Sequence, residues 1–426
     1  MAAKRHTSTP VRRARTLAFS AAVAAASILP AMPPAADAAP AQPDASASTA
    51  SGGFYTPPSP LPSAPPGTVI RSRPLTLGGP GAVAPPYRGW TVMYHSRDAH
   101  GRDIAVTGAI LTPASAWTGN GPRPYVSYGV GTQGLGHQCS PSRQLAAGTE
   151  YEEPNLVAAL DKGYGVAVTD YEGYVNGSTP TYVAGRSEAH TVLDIVRAAR
   201  HLRGAGAKRR TPVGLWGYSQ GGGATAWAAA LAPSYAPGIK LVGAASGGIP
   251  ANLEAVGANL NGSPFGGLLG DSLVGFATAY PHLAHFDRIT NARGKAVAAQ
   301  LKTECVGETT AKHAFLDVAN LTKKHLTYAQ LVALPGEARI LRRNNLGSAA
   351  PAPRVPVLQY HSTNDEIVPL PQAYALHRTW CAEGAPTKFV TYPGEHLTGD
   401  SAGAPGALAF LGQRFSGQPF ISSCAL

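Results

Sequence analysis

Short runs of apolar, β-branched and aromatic residues alternate along this chain with stretches whose apolar positions recur every three or four residues. Runs of the first kind read as strands. Residues 90–94 and 104–111 carry them on either side of the turn Asp98-Ala99-His100-Gly101, which predicts a hairpin. Further strands are expected at 125–128, 166–169, 213–216, 241–245, 357–360 and 389–392. Helical periods fall between or after them at 156–162, 188–202, 224–231 and 406–415, and in the second of these Val192, Ile195, Val196 and Ala199 share one face. Strands alternating with helices imply an α/β fold, a mostly parallel sheet covered on both faces.

The alternation breaks between Ala245 and Val357. More than a hundred residues intervene, rich in Leu, Ala and Lys, with helical periods at 268–278, 296–301 and 328–334. A structureless loop of that length is implausible inside a compact domain. The expectation is a mostly helical cap inserted at 250–345 over the carboxyl edge of the sheet, with the core at 67–249 and 346–426.

Composition adds a leader. Lys4, Arg5, Arg12, Arg13 and Arg15 precede an apolar stretch at 17–29, and Ala36-Asp37-Ala38 then supplies small residues around a cleavable bond. Basic, apolar and small segments in that order read as a signal peptide at 1–38, hence as a secreted protein. The apolar run falls short of the ~20 residues of a membrane helix, and nothing comparable recurs. Arg12-Arg13 leaves the twin-arginine and general export routes both open. Residues 30–66 hold eleven prolines and almost no charge, so a Pro/Ala-rich leader is expected at 39–66, with order beginning near Phe54-Tyr55. Over the whole 426 residues, 44% hydrophobic and 14% charged content excludes a disulfide miniprotein, a coiled coil and a wholly disordered chain.

The net charge of +11 is a weaker clue, because cleavage after Ala38 removes five cations and one anion and leaves +7. Lys208-Arg209-Arg210 and Arg342-Arg343 are isolated clusters without interleaved aromatics, which argues for solvated turns and against nucleic-acid binding. A basic exterior could help adsorption to anionic lipid surfaces, which salt would then weaken. Cys139, Cys305, Cys381 and Cys424 lack the close pairing of zinc ligands, and in an exported chain they suggest two disulfides, with three pairings open. His282 and His285 could share a helix face, but no third ligand lies near them in sequence, so no metal is expected.

The candidate chemistry centres on Gly217-Tyr218-Ser219-Gln220-Gly221, which fits the nucleophile-elbow pattern G-x-S-x-G. In a chain with 49 glycines the bare pattern is weak. Its context is stronger: it follows an expected strand and opens an expected helix of small residues, where glycines allow a strained turn and close packing. A serine nucleophile needs a base and an orienting acid. Asp365 lies just past the strand at 357–360, with Glu366 as its rival; His396 follows the last strand and is the last histidine of the chain. For an oxyanion, one donor is expected from the backbone of Gln220 and a second from the glycine-rich loop 129–136, with Thr132 preferred and Gln133 next. Tyr218, Phe265 and Leu269 are the expected substrate contacts. The apolar cap residues around Phe265 and Leu269 fit two readings, packing onto the core or lining an acyl path.

Taken in order, Gly217 to Gly222 as GYSQGG, the upstream GTQGLG with Cys139-Ser140-Pro141-Ser142, Thr169 to Gly173, and Asn364 to Pro369 resemble the secretory lipase family, which includes fungal lipase A and actinobacterial homologues. The resemblance covers the chain from about Phe54 onward. It implies an α/β-hydrolase fold with a helical cap, Ser219, Asp365 and His396 as a triad, and hydrolysis of esters, most readily acylglycerols, by a monomer without a cofactor. It also implies the pairs Cys139 with Cys305 and Cys381 with Cys424. The loop here reads Tyr128-Gly129-Val130 where many lipases have His-Gly, which leaves the second oxyanion donor open. Other functions compatible with the same residues are an exported peptidase, an acyltransferase, or a surface-binding homologue without activity.

Overall fold

The structure, a computed structural model, describes residues 53–78 and 86–424. The expected signal peptide and residues 39–52 of the expected leader lie outside the described residues. Tyr55, near the expected start of order, is buried, with its hydroxyl 3.0 Å from Ser142 Oγ and the Arg143 guanidinium over its ring.

The apolar runs form β1 (Val69–Pro74), β2 (Tyr87–Arg97), β3 (Asp103–Pro113), β4 (Tyr125–Gly129), β5 (Gly165–Thr169), β6 (Pro212–Tyr218), β7 (Lys240–Gly247), β8 (Val357–Ser362) and β9 (Thr387–Tyr392). They make one nine-stranded sheet in the order β1-β2-β3-β5-β4-β6-β7-β8-β9. β2 and β3 are the expected hairpin, paired from Tyr87 opposite Pro113 to Arg97 opposite Asp103. The first four strands in that order are antiparallel to one another, and from β5 onward every neighbouring pair is parallel. Every residue of β4 and β5 is buried, which explains their unbroken apolar sequences: a central strand covered on both faces has no polar side to alternate with.

Helices α1 (Pro141–Ala147) and α2 (Glu153–Asp161) lie between β4 and β5, α3 (Gly185–His201) between β5 and β6, and α4 (Gln220–Tyr235) between β6 and β7. Eight helices separate β7 from β8: α5 (Leu253–Leu260), α6 (Gly266–Ala279), α7 (Pro281–Ala284), α8 (Phe286–Ile289), α9 (Ala292–Leu301), α10 (Val306–Lys312), α11 (Tyr328–Val332) and α12 (Pro335–Asn344). The last two are α13 (Leu370–Ala382) and α14 (His396–Phe415). The pleat of β6 assigns faces to the helices: Gly214 leaves room for Leu411 and Phe415 of α14, whereas Gly217, on the other side, touches Gly221 of α4. Trp216, Trp227 and Trp380 are the largest side chains buried in the core around the sheet.

Several elements depart from the sequence pattern. The helix expected at 406–415 begins ten residues earlier, at His396. Gly399, Gly403 and Pro405 weaken its helix propensity, but Gly399 rests against Ser362 and Tyr218 and Gly403 against Tyr360, so packing replaces propensity. For the same reason α4 starts at Gln220 rather than 224. The pattern does not anticipate β1, a half-polar edge strand paired only with β2, nor α1 and α13. His282 and His285 do not share a helix face, because His285 takes a left-handed conformation (φ 43°) that ends α7. The disulfides join Cys139 to Cys305 and Cys381 to Cys424, the first linking the loop after β4 to the helical segment. Among the described residues no helix is long and apolar enough to cross a membrane.

The approach of α4 to the sheet is a sharp constraint. A Cβ on Gly222 would fall on the carbonyl oxygen of Gly247, which is backbone of β7; one on Gly223 would meet only the Pro250 side chain, at 3.3 Å. Gly222→Ala is therefore expected to destabilise the fold by about 2 kcal/mol or more, and Gly223→Ala by less than about 1 kcal/mol, in urea unfolding. Equal midpoints for the two variants would contradict this account of the packing.

Candidate active site

β6 delivers Ser219 into a tight turn. Its φ of 57° lies in the region L side chains rarely occupy, and its carbonyl accepts from Gly223 N to start α4 while its N–H donates to the Gly247 carbonyl, at 2.9 and 3.0 Å. The turn aims Oγ outward at the carboxyl edge of the sheet. There Ser219 Oγ lies 2.8 Å from His396 Nε2. His396 Nδ1 in turn lies 2.8 Å from both carboxylate oxygens of Asp365. A carboxylate only accepts, so Nδ1 carries the proton and Nε2 is left to accept from the serine.

Each partner is fixed by its own element. Asp365 sits in the turn after β8, where Oδ1 accepts from Ile367 N and Val368 N at 3.1 and 2.7 Å. Burial pushes its carboxyl up, but the His396 hydrogen bond, the fields of His396 and His361 and the Val368 N–H together hold it below its ordinary value. Glu366, the rival acid, is engaged differently: its Oε2 accepts the backbone N–H of His396 at 3.0 Å. His396 opens α14, whose N-cap Glu395 accepts from Leu397 N and Thr398 N. The His396 ring packs on Tyr218, with ring centroids 5.0 Å apart.

On the other side of Ser219, Gln220 is the first residue of α4, so its N–H has no place in the helical ladder. Its side chain donates to Glu188 Oε1 at 2.8 Å, and Val183 N donates to the same oxygen. Thr132 Oγ1 lies 2.7 Å from the Tyr182 hydroxyl. Gln133 turns away from the serine into a polar cluster with Gln144 and Glu150, and its carbonyl accepts from Val306 N. Over Ser219 lies a cavity of about 40 Å³ lined by Tyr182, Val183 and Gln220, by Leu253, Val256 and Leu260 of α5, by Leu268 and Ser272 of α6, and by Ile367 and Val368.

The structure thus brings Ser219, Asp365, His396 and Gln220 together, with Thr132 one hydrogen bond away through Tyr182. Gln133 does not face the cavity. Tyr218 lies behind the His396 ring, and Phe265 and Leu269 belong to the apolar cluster around the cavity, in which Leu268 rather than Leu269 lines it. Sequence reasoning misses α5, although the spacing of Leu253, Val256 and Leu260 is that of a helix face. It also misses Glu188 behind Gln220, and His361, whose Nε2 lies 3.3 Å from Asp365 Oδ2.

A mostly parallel sheet with a serine on a strand-to-helix turn, an acid after a later strand and a histidine after the last one is an α/β-hydrolase. The chain belongs to the secretory lipase family, whose model matches residues 139–423. It is 31% identical over 378 residues to a Mycobacterium tuberculosis protein named a probable inactive lipase, covering 86% of this chain and 82% of that one. A secreted triacylglycerol lipase of Malassezia restricta is 29% identical over 385 residues, with 86% and 80% covered. The structure of Candida antarctica lipase A in its closed state superposes with a TM-score of 0.78 at 27% identity, covering 88% of each chain. The protein is accordingly a secreted hydrolase of the lipase and carboxylesterase class.

Asp365→Asn should lower kcat on a short ester about 10⁴-fold, because it removes the charge that fixes the imidazole tautomer, whereas Glu366→Gln should cost about tenfold or less. Comparable losses in both variants would mean that the two acids share the role. Separately, burial pushes Glu150, Glu188 and Glu337 each up from 4.5 to about 7. Between those values the folded chain holds protons that the unfolded chain has released, so stability falls as pH rises through that window. Asp365, held low, contributes stability that is fully present above pH 3.8 and is lost only below it, outside this window. The thermal midpoint should be higher at pH 5 than at pH 8 by about 5 °C or more, and Glu337→Gln should reduce the difference.

Proposed function

We propose that the protein hydrolyses acylglycerols through an acyl-enzyme on Ser219. The observation that carries this reading is the single line of contacts from Asp365 through His396 to Ser219, at 2.8 Å on each side of the imidazole, beneath an apolar roof. His396 Nε2 takes the serine proton as Oγ attacks the ester carbonyl, and Asp365 stabilises the imidazolium. The N–H of Gln220 and the backbone of the Thr132 loop bind the oxyanion. His396 then protonates the departing alcohol, and water, activated by the same imidazole, releases the acid. Leu253, Val256, Leu260 and Leu268 around Ser219 suit an acyl chain better than a peptide.

The cavity of about 40 Å³ has room for a few water molecules, so an acyl chain requires α5 and α6 to part. In this reading residues 250–345 are the cap, residues 67–249 and 346–426 the core, and residues 1–38 the signal peptide. One chain supplies every residue of the site, so the working unit is a monomer, and the basic exterior adsorbs it to anionic lipid surfaces.

The test is a series of p-nitrophenyl esters from short to long acyl chains, with a triglyceride emulsion and a peptide anilide alongside. Ester and emulsion turnover should be present and anilide turnover absent. Ser219→Ala should lose about 10⁴-fold or more in kcat while unfolding at the wild-type midpoint. Turnover retained in the folded alanine variant would exclude the acyl-enzyme, and cleavage of the anilide but not the emulsion would replace the lipase reading with a peptidase.

A further inference from the structure

His361 is the fifth residue of β8 and is buried, and it has no part in the acyl transfer described above. Its Nε2 lies 2.8 Å from the Val368 carbonyl oxygen and 3.3 Å from Asp365 Oδ2. Both of these atoms accept, so Nε2 must carry the hydrogen. Nδ1 is then the bare nitrogen of a neutral ring, and it is buried without a protein partner among the described residues. Burial also lowers the ring's affinity for a second proton.

That orphaned nitrogen is informative. The ring lies nearly parallel to Phe389, with centroids 6.5 Å apart and an interplanar angle of 18°. A phenyl group would offer Phe389 the same flat face and would avoid burying an unpaired acceptor. The imidazole is therefore explained by its N–H. Of the two Asp365 oxygens, Oδ1 has backbone donors in Ile367 and Val368, while Oδ2 has none; besides His396, it has His361 Nε2 at 3.3 Å, whose N–H is bonded to the Val368 carbonyl. Val368 closes a ring of contacts, donating its N–H to Oδ1 and accepting the His361 N–H at its carbonyl.

We propose that His361 is a positioning residue for Asp365: its neutral Nε2–H holds the Val368 carbonyl, and with it the turn whose N–H groups fix Oδ1, while the same N–H dipole lies 3.3 Å from Oδ2, so that the carboxylate faces His396 Nδ1 in one orientation. The proposal rests on the triad reading above. Because the His361 N–H dipole lies beside the same carboxylate, it also sets how strongly the acid favours the imidazolium. Without it, Asp365 would be less well oriented and more basic toward His396. The other titratable groups around this pair are Asp400 on α14, Glu366 and Glu395 in the adjoining turns and Tyr218 on β6; Tyr374 and His377 of α13 lie against Phe389.

The experiment compares the full-length protein with His361→Phe, His361→Leu and His361→Gln, with Ser219→Ala run beside them. Readouts are kcat and KM on a short p-nitrophenyl ester from pH 4 to 9, the low-field proton resonance of His396 Nδ1–H, and the thermal midpoint. Phe and Leu should lower kcat about tenfold with KM within twofold, move the acid limb of kcat/KM to higher pH by about half a unit, and shift the low-field resonance. Gln, which can present an amide N–H near the Nε2 position, should recover most of kcat and the wild-type limb. An unmoved limb and resonance in whichever apolar variant folds, or a loss that Gln does not rescue, would overturn the proposal and leave His361 as packing. Full turnover in Ser219→Ala would instead overturn the triad reading, and this proposal with it.

Discussion

Ser219 is held in its strained turn by backbone packed against backbone. Gly217 and Gly221 lie against the carbonyl of Gly129, and Gly222 lies against that of Gly247, so β4, β6, β7 and α4 converge where a single extra carbon would separate them. A residue at φ 57° costs of order 1–3 kcal/mol, and only such surroundings keep it there. What that strain secures is direction. The turn points Oγ at His396, places the Gln220 N–H at an unladdered helix start, and leaves both at the edge where β8 ends in Asp365. The geometry of the candidate site is thus a consequence of sheet packing rather than of contacts among the polar groups themselves.

The segment above the serine is attached unevenly. On the side of the loop after β4 it is tied by the Cys139–Cys305 disulfide and by backbone bonds from Val306 N to Gln133 and from Gly136 N to Glu304. Over the serine itself, α5 and α6 present apolar side chains, with the Asn259 amide on the Glu366 and Ile367 carbonyls as a polar hold. Covalent and ladder contacts hold one end, and weaker contacts cover the other. In the proposed reading the end over Ser219 is the one that parts, and the Thr132 loop is anchored to the opposite end.

This division also explains what could be read from residue order. Strands such as β5, with Gly165-Val166-Ala167-Val168-Thr169, and the Gly-rich elbow carry their signal locally, because burial on both faces and close approach each demand particular residues at consecutive positions. The start of α14 carries no such signal, since Gly399, Gly403 and Pro405 are tolerated only through contacts with Ser362, Tyr218 and Tyr360, residues far away in sequence. The same holds around the site. Glu188 meets Gln220 across 32 positions, and Leu268 rather than Leu269 lines the cavity because of the rotation of α6, which hydrophobicity alone does not set. His361 is only four residues from Asp365, yet a histidine inside an apolar strand has no pattern to distinguish a donor from a packed ring.

Burial alone does not decide which carboxyl is ionised here. Glu188, Asp271 and Asp365 are all buried, and desolvation raises each of them. Asp271 has no hydrogen-bond partner for either oxygen among the described residues, and it is pushed well up. Glu188 has two donors, Gln220 and Val183, and stays near 7. Asp365 has Ile367 and Val368 on one oxygen, His396 across both and the His361 ring beside the other, and it alone of the three is held below its ordinary value. Among these three the donors and the neighbouring imidazoles decide which is held ionised, and that one is the carboxylate that faces His396.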